Sequence, residues 1–390
     1  MTTPLKQHAI PFFAPSIGEE EIQSVVETLR SGWLTTGPKV RQFETAFAEY
    51  VGARHAIAVS SATAALHLSL EAIGVGRDDE VLVPTLTFAS TGEVVVHLGG
   101  RPVLVDCRPD TFNIDVAGLE RAVTPRTKAI MPVHYGGQPC DMEPILALAR
   151  RHNLAVIEDA AHALPARYHG RMIGTIGDAT CYSFYANKTI TTGEGGMIAT
   201  DRDDIADRVR IMRLHGISKD AWKRFSAEGS WYYEIAAPGY KYNMTDVAAA
   251  LGIHQLARCE KFLEGRRRCA RMYQEGLCDL PELRLPHVEP GLEHAWHLYV
   301  IQLDGERLRI TRNKFIEALN AAGVGTSVHY LPLHMHPYYR ETFGYQPGDL
   351  PAAESLYERI ISLPIYPAMS DASVEYVIET VRRLVVENRR

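Results

Sequence analysis

Long apolar runs are missing from this 390-residue chain: none approaches the roughly twenty residues that cross a bilayer. That excludes the ordinary membrane-spanning helix. The stretch from Met1 to Phe13 also lacks the basic, apolar and small-residue succession of a secretory signal. Cysteine is scarce and scattered, with Cys107, Cys140, Cys181, Cys259, Cys269 and Cys278 forming no CxxC pair. In a chain of this length they read as reduced, mostly buried thiols instead of a disulfide framework. A cytoplasmic protein is the expectation. Neither sign of charge dominates: 41 Lys and Arg against 47 Asp and Glu leave a formal net charge of -6. There is thus no basic footprint for nucleic acid. Repeats and low-complexity tracts are absent as well. No GxxxxGK(S/T) argues against an NTPase loop, and no GxGxxG behind a strand argues against a nicotinamide enzyme. HExxH and GxSxG are missing too.

What is present is a chain that is 46% hydrophobic, long enough for one large core and a smaller companion. From about residue 55 an apolar strand followed by a helix recurs. Residues 56–59 read as a strand, and 62–73 as a helix with Leu66, Leu70 and Ile73 on one face. Residues 80–83 form the next strand, ended by Pro84, and 89–98 the next helix. Strands at 103–105, 129–133 and 154–157 lead to Asp106, to His134, and to Glu158 with Asp159. Because these strands are apolar throughout, they suit a sheet covered by helices on both faces. This predicts a doubly wound α/β fold with ligands beyond the C-terminal strand ends.

From Thr245 the texture changes. A helix runs through about Glu275, with Gly276 as its stop, then a strand over 298–303 and a helix over 311–322 ended by Gly323. We read residues 1–245 as a large domain with an N-terminal arm, and 246–390 as a small α+β domain.

The strongest chemical signal is Ser183-Phe184-Tyr185-Ala186-Asn187-Lys188, followed by Thr192-Gly193-Glu194-Gly195-Gly196. A lysine amine forms Schiff bases with carbonyls, and glycines let backbone approach a bulky ligand. A surface lysine before a turn would be the ordinary reading. It gives way because of Val156-Ile157-Glu158-Asp159-Ala160-Ala161-His162 upstream. A carboxylate just past a strand can pair with a protonated pyridine nitrogen and keep that ring an electron sink. Asp159 is the candidate; Glu158 would point away by the pleat, and His162 would lie against the ring. The competing role for Asp159 is a helix N-cap. Ser60-Ser61-Ala62-Thr63 is a strand-to-helix turn of small residues, whose free N–H groups and hydroxyls make a phosphate seat. Two histidine pairs, His294 with His297 and His334 with His336, have no acidic or cysteine partners at ligand spacing, so no metal is expected. Lys219, Lys223, Arg224 and Lys241 fall in or near a loop-like stretch between Leu214 and Tyr240. They are candidates for contacts to an anionic substrate, with a solvated loop as the alternative.

Together these segments resemble the DegT-like sugar-nucleotide aminotransferases, a family of fold-type I pyridoxal-phosphate (PLP) enzymes. The resemblance runs from Ile10-Pro11-Phe12 to Ser362-Leu363-Pro364. It takes in Ser31-Gly32-Trp33-Leu34-Thr35-Thr36-Gly37-Pro38, Thr85-Leu86-Thr87-Phe88-Ala89-Ser90, Pro132-Val133-His134-Tyr135-Gly136-Gly137 and Pro238-Gly239-Tyr240-Lys241-Tyr242-Asn243-Met244-Thr245-Asp246. Residues 55–64, 158–163 and 294–298 are most similar to the 4-keto-sugar branch typified by UDP-4-amino-4-deoxy-L-arabinose synthase. Phe88 departs from that branch, which is expected to carry tryptophan there.

The resemblance implies that Lys188 binds the cofactor covalently and later shuttles the proton, and that Asp159 pairs with the pyridine nitrogen. It implies that Phe88 and His162 sandwich the ring, and that Ala62, Thr63 and Ser183 hold the phosphate. Asn243 would reach the phosphate in a neighbouring subunit, making a homodimer the working unit, and His329 would sit near substrate. The implied reaction moves an amino group from L-glutamate to a nucleotide-linked 4-keto-sugar. Amination at C3 is the alternative within the family. A relative with histidine in place of the lysine would dehydrate instead, and Lys188 disfavours that. A non-catalytic regulatory member and a PLP enzyme of amino-acid metabolism are further alternatives. For the last, Arg307, Arg309 and Arg312 stand in no carboxylate-clamping motif.

Overall fold

The computed structural model describes residues 10–217 and 233–390. Strands β1 (His55–Val59), β2 (Glu80–Pro84), β3 (Arg101–Val105), β4 (Thr127–Ile130), β5 (Ala155–Asp159), β6 (Ala179–Ser183) and β7 (Gly196–Thr200) form one sheet in the order β1-β7-β6-β5-β4-β2-β3. The pairs β2–β3, β2–β4, β4–β5 and β5–β6 are parallel, whereas β7 runs against both β6 and β1. The predicted α/β fold is the observed one. All five residues of β2 and of β7 are buried, which accounts for the lack of apolar–polar alternation.

Seven helices come from the same part of the chain: α1 (Glu19–Ser31), α2 (Pro38–Val51), α3 (Ala62–Ala72), α4 (Ala89–His97), α5 (Val116–Ala122), α6 (Met142–His152) and α7 (Asp203–Met212). On one face of the sheet, Ile57, Val59, Val81 and Val83 share a core with Leu66 and Leu70. On the other, Leu82, Ile130 and Val156 pack with Ile145 and Leu148. Every residue from Ala64 to Leu70 is buried. Helix α3 is therefore enclosed all round instead of showing the single apolar face expected from its leucines. Its start is fixed by Ser61, whose Oγ accepts from the Ala64 N–H at 3.0 Å.

The long helix expected from Thr245 is two helices, α8 (Asp246–Ala257) and α9 (Cys259–Leu277), joined at Arg258. Thr245 caps the first through its hydroxyl. Buried Asp246 then turns back, and its carboxylate accepts from the N–H groups of Gly37, Lys39 and Val40 at 2.7–3.1 Å. This closes the first turn of α2 and favours its helix dipole. Gly276 is not a stop: it lies inside α9, where a Cβ would come within 2.8 Å of Ile378. It is one of the places where α9 and the last helix touch.

A second core gathers Tyr273 and Leu277 of α9 with a three-stranded sheet of β8 (Leu283–Arg284), β9 (Tyr299–Leu303) and β10 (Ile360–Leu363). Helices α10 (Arg312–Ala321), α11 (Pro337–Phe343), α12 (Pro351–Tyr357) and α13 (Asp371–Glu387) complete this part of the chain. Ile10, from the opposite end of the sequence, packs into the same core. Among the described residues no helix is long and apolar enough to cross a membrane.

Candidate active site

The C-terminal ends of β1, β2, β5 and β6 open onto one cavity of about 500 Å³. That is within the range of about 300–1,000 Å³ typical of small-molecule sites. Ala62, Thr63, Phe88, Asp159, His162, Ser183, Lys188 and His329, all singled out from the sequence, line it. Residues separated by 267 positions along the chain (62 to 329) thus meet at one spot.

Asp159 ends β5 and is 4% exposed. Its Oδ1 accepts from the Ala161 N–H at 3.1 Å and its Oδ2 from the Thr91 hydroxyl at 2.9 Å. No helix follows, so Asp159 is not an N-cap. Burial raises its pKa, and the Ala161 and Thr91 bonds and the charge of Lys188 oppose the rise. The pleat sends neighbouring Glu158 the other way, as expected. There its Oε2 lies 3.0 Å from His134 Nε2, while Oε1 accepts from the Gly177 N–H and the Thr180 hydroxyl. His134 Nδ1 already accepts from the Cys140 N–H, so the proton of a neutral His134 is on Nε2 and is donated to Glu158.

Lys188 follows β6 and is recessed in the cavity, not on the surface. Loss of water around its amine pushes the pKa down to about 8; Asp159 raises it and buried Arg266 lowers it further. His162 Nδ1 accepts from the Gly136 N–H at 3.2 Å, and its Nε2 is 3.1 Å from the Tyr330 hydroxyl. A neutral ring must then carry its proton on Nε2 and donate it to Tyr330. Burial holds His162 well below the usual histidine range, and the Lys188 charge works in the same direction. The rings of His162 and His297 are 4.4 Å apart. His329 donates to or accepts from the Ser362 hydroxyl at 2.8 Å, and burial pushes its pKa down to about 3.

The other end of the cavity is the start of α3. Ser61 uses the Ala64 N–H for its cap, which leaves the N–H groups of Ala62 and Thr63 without an intrahelical acceptor. A Cβ on Gly196 would stand 2.4 Å from the Ser61 carbonyl oxygen and 2.7 Å from Ala62 N. Only glycine lets β7 pass this close to the helix start. Beside Lys188, buried Asn187 Oδ1 has no hydrogen-bond partner in the described protein. Two free N–H groups at a helix start, a fixed carboxylate, a recessed amine and an unpartnered amide oxygen fit a phosphorylated pyridine aldehyde.

Comparison with known proteins agrees with the geometry. The chain matches the DegT/DnrJ/EryC1/StrS aminotransferase family over residues 15–382. It belongs to that family. As a member of it, the protein is a PLP-dependent aminotransferase with sugar aminotransferases as its structural neighbours. The spore coat polysaccharide biosynthesis protein SpsC of Bacillus subtilis is 54% identical over 381 residues, 97% of this chain and 98% of SpsC. Spr1654 from Streptococcus pneumoniae in its PMP form superposes with a TM-score of 0.91 at 36% identity, covering 97% of this chain and 99% of its own. Helicobacter pylori PseC, an aminotransferase involved in pseudoaminic acid biosynthesis, gives 0.91 at 28% identity, covering 97% and 100%.

Several residues around the cavity escaped the sequence reading. Tyr330 and Tyr185 line the cavity, as does Glu194, and Thr91 holds Asp159 from behind. Thr87 precedes α4, so helix spacing along the chain does not pair it with Thr91. Asn243, by contrast, does not line this cavity. Its Nδ2 donates to Thr36 Oγ1 at 2.7 Å and its Oδ1 accepts from Lys241 Nζ at 2.8 Å. Lys219, Lys223 and Arg224 lie outside the described residues. Of the paired histidines, His294 stacks on Trp296 with centroids 4.1 Å apart, and His334 bridges Thr85 and Glu354.

Proposed function

We propose that this aminotransferase moves the amino group of L-glutamate, in the cytoplasm, to C4 of a nucleotide-linked keto-sugar, with Lys188 as the proton-moving base. The observation that carries this reading is the convergence of the Lys188 amine, the Asp159 carboxylate and the α3 N-terminus on one cavity. PLP, when bound, supplies a carbonyl for amine addition and a ring that accepts the electrons of a broken C–H bond. Lys188 Nζ, with its pKa near 8, has enough neutral form near physiological pH to take a proton and return it as an acid. Asp159, held by the Ala161 N–H, would pair with a proton-bearing ring nitrogen. The N–H groups of Ala62 and Thr63, with the Ser183 hydroxyl, anchor a phosphate. Phe88, 60% exposed at the cavity, and His162 would flank the ring on its two sides.

The choice of C4 is supported by residues 55–64, 158–163 and 294–298, the segments most similar to the 4-keto-sugar branch. A nucleotide's pyrophosphate needs cations, and Lys223 and Arg224 are our candidates. His329 is our candidate on the sugar side. A homodimer is supported by helix α1, which buries Glu21, Ser24 and Thr28 and exposes Ile22 and Leu29, with Ile17 and Leu34 nearby. That inverts the usual pattern of a surface helix and suits a face covered by a second copy, from which Asn243 would reach the neighbouring site.

The test is spectroscopic. L-glutamate added to PLP-loaded protein should convert the bound cofactor to its pyridoxamine form, and a nucleotide 4-keto-sugar should convert it back. Lys188→Ala should do neither. No spectral change with glutamate in folded, PLP-loaded protein would remove the donor from the proposal; turnover by Lys188→Ala would remove the base.

A further inference from the structure

Behind Asp159 the structure holds a pair of hydroxyls that the reaction scheme leaves unused. Thr91, fully buried in the first turn of α4, places Oγ1 2.9 Å from Asp159 Oδ2. Thr87, 2% exposed, places its own Oγ1 2.8 Å from that of Thr91. A hydroxyl has one proton to give. An ionised carboxylate can only accept, so the Thr91 proton belongs to Asp159. Thr91 must then accept from Thr87. The two hydroxyls form a directed chain, Thr87 to Thr91 to Asp159, each donor polarising the next.

We propose that Thr91 is a positioning residue of this enzyme, with Thr87 in support: it keeps the Asp159 carboxylate ionised and aimed into the cavity. The inference rests on the assignment of Asp159 as partner of the ring nitrogen. The physical argument is one of balance. A carboxylate 4% exposed is disfavoured as an anion unless donors face it. Within its own segment it has only the Ala161 N–H. Thr91 supplies the second donor from another element, and it is charge-assisted. The other groups acting on this carboxylate are Lys188 and His134, which favour the anion. Tyr330, Cys181 and Cys140 lie near enough for its charge to raise their own pKa values. Glu158 faces away, bound to His134. None of these touches Oδ2 as Thr91 does.

Thr91→Val keeps the shape and deletes the hydroxyl; Thr91→Ser keeps the hydroxyl and deletes the methyl. Thr91→Val should lower kcat about 10- to 100-fold, the loss typical of one hydrogen bond to a charged group. KM for glutamate should change far less, because the residue does not meet substrate. The acid limb of the pH–rate profile should move to higher pH, since the remaining donors hold the anion less well. Independently of turnover, the pH below which cofactor-free protein loses affinity for PLP should rise in the same direction. Thr91→Ser should restore all of these.

Wild-type kcat with an unshifted acid limb in Thr91→Val would overturn the proposal. So would Thr91→Ser behaving like Thr91→Val, because packing and not the hydroxyl would then matter. Should Thr91→Val fail to fold, the double change Thr87→Ala with Thr91→Ser carries the test: it keeps the last donor but removes its support. A smaller loss of the same kind is expected, and no loss would refute the chain. Asp159→Asn separates the levels. If it is fully active, the assignment of Asp159 falls; if it is inactive while Thr91→Val is normal, only the present inference does.

Discussion

In the cofactor-free protein Lys188 should react as a far weaker base than an ordinary lysine. The cavity walls strip its amine of water, and this is the largest influence; Asp159 pulls the value back up and Arg266 lowers it again, taking it from 10.5 to about 8. Each pH unit is tenfold in the ratio of forms, so at pH 7 the neutral fraction is roughly 300-fold larger than for an unperturbed lysine. Only the neutral amine attacks the aldehyde of PLP. The second-order rate of PLP capture, followed by stopped-flow absorbance from about pH 6 to about pH 10, should rise tenfold per unit and then bend near 8. A rate still climbing at the top of that range would refute the argument. In Asp159→Asn the influence that raises Lys188 is gone, so the bend should move to lower pH. An upward move would contradict the electrostatic ordering.

Three further outcomes are expected. Glu158→Gln leaves an amide N–H₂ among three donors, and should cost about 1–3 kcal/mol at neutral pH in urea unfolding. Because burial raises but His134, Gly177 and Thr180 together lower the Glu158 pKa below 4.5, its contribution is fully present above that value and lost as pH falls through the lowered one. The difference from wild type should therefore shrink in acid; a constant difference would exclude the linkage. Gly252→Ala in α8 would ordinarily gain about 1 kcal/mol of helix propensity. Its Cβ would stand 2.7 Å from the buried Phe43 ring, however, and overpacking costs about 1–3 kcal/mol, so the unfolding midpoint should fall. Finally, inactive Lys188→Ala and Asn243→Ala subunits mixed in equal amounts should regain about a quarter of wild-type activity through hybrids with one complete site. Sustained inactivity, with hybrids shown to form, would deny Asn243 its role across the interface.

Most residues of the site that could be read from the sequence share one property: each lies within a few residues of an apolar strand or a cap. Asp159 is the last residue of β5, and Ala62 and Thr63 open α3 behind the Ser61 hydroxyl. Lys188 stands five residues past Ser183, the last residue of β6. Local pattern therefore announced them. Thr91 and Tyr330 were silent because their meaning is entirely tertiary. A threonine one turn into a buried helix looks like packing until its partner, 68 residues away, is known. Tyr330 reaches His162 across 168 residues. The same holds for the fold. Strand β7, which opens on Gly196 and follows Gly195, gave no strand signal of its own and is defined by its neighbours β6 and β1. The break at Arg258 is invisible to periodicity, since both flanking segments are good helix. Gly276 carried a stop signal that contact with Ile378 overrides.

The alternation of Glu158 and Asp159 has a consequence for how this chain can change in length. The two carboxylates are chemically near-equivalent and adjacent, yet one is sealed against His134 and the other faces the cavity. Only the phase of β5 distinguishes them. Deleting or inserting one residue within 155–157 would turn each carboxylate to the opposite face of the sheet, so that Asp159 would no longer face the cavity from its present place. The same alteration in the turn before β5, after the left-handed Asn153, would leave the phase intact. Length variation is thus tolerable on one side of residue 155 and ruinous on the other, a boundary that a scan of single-residue deletions would reveal as an abrupt step.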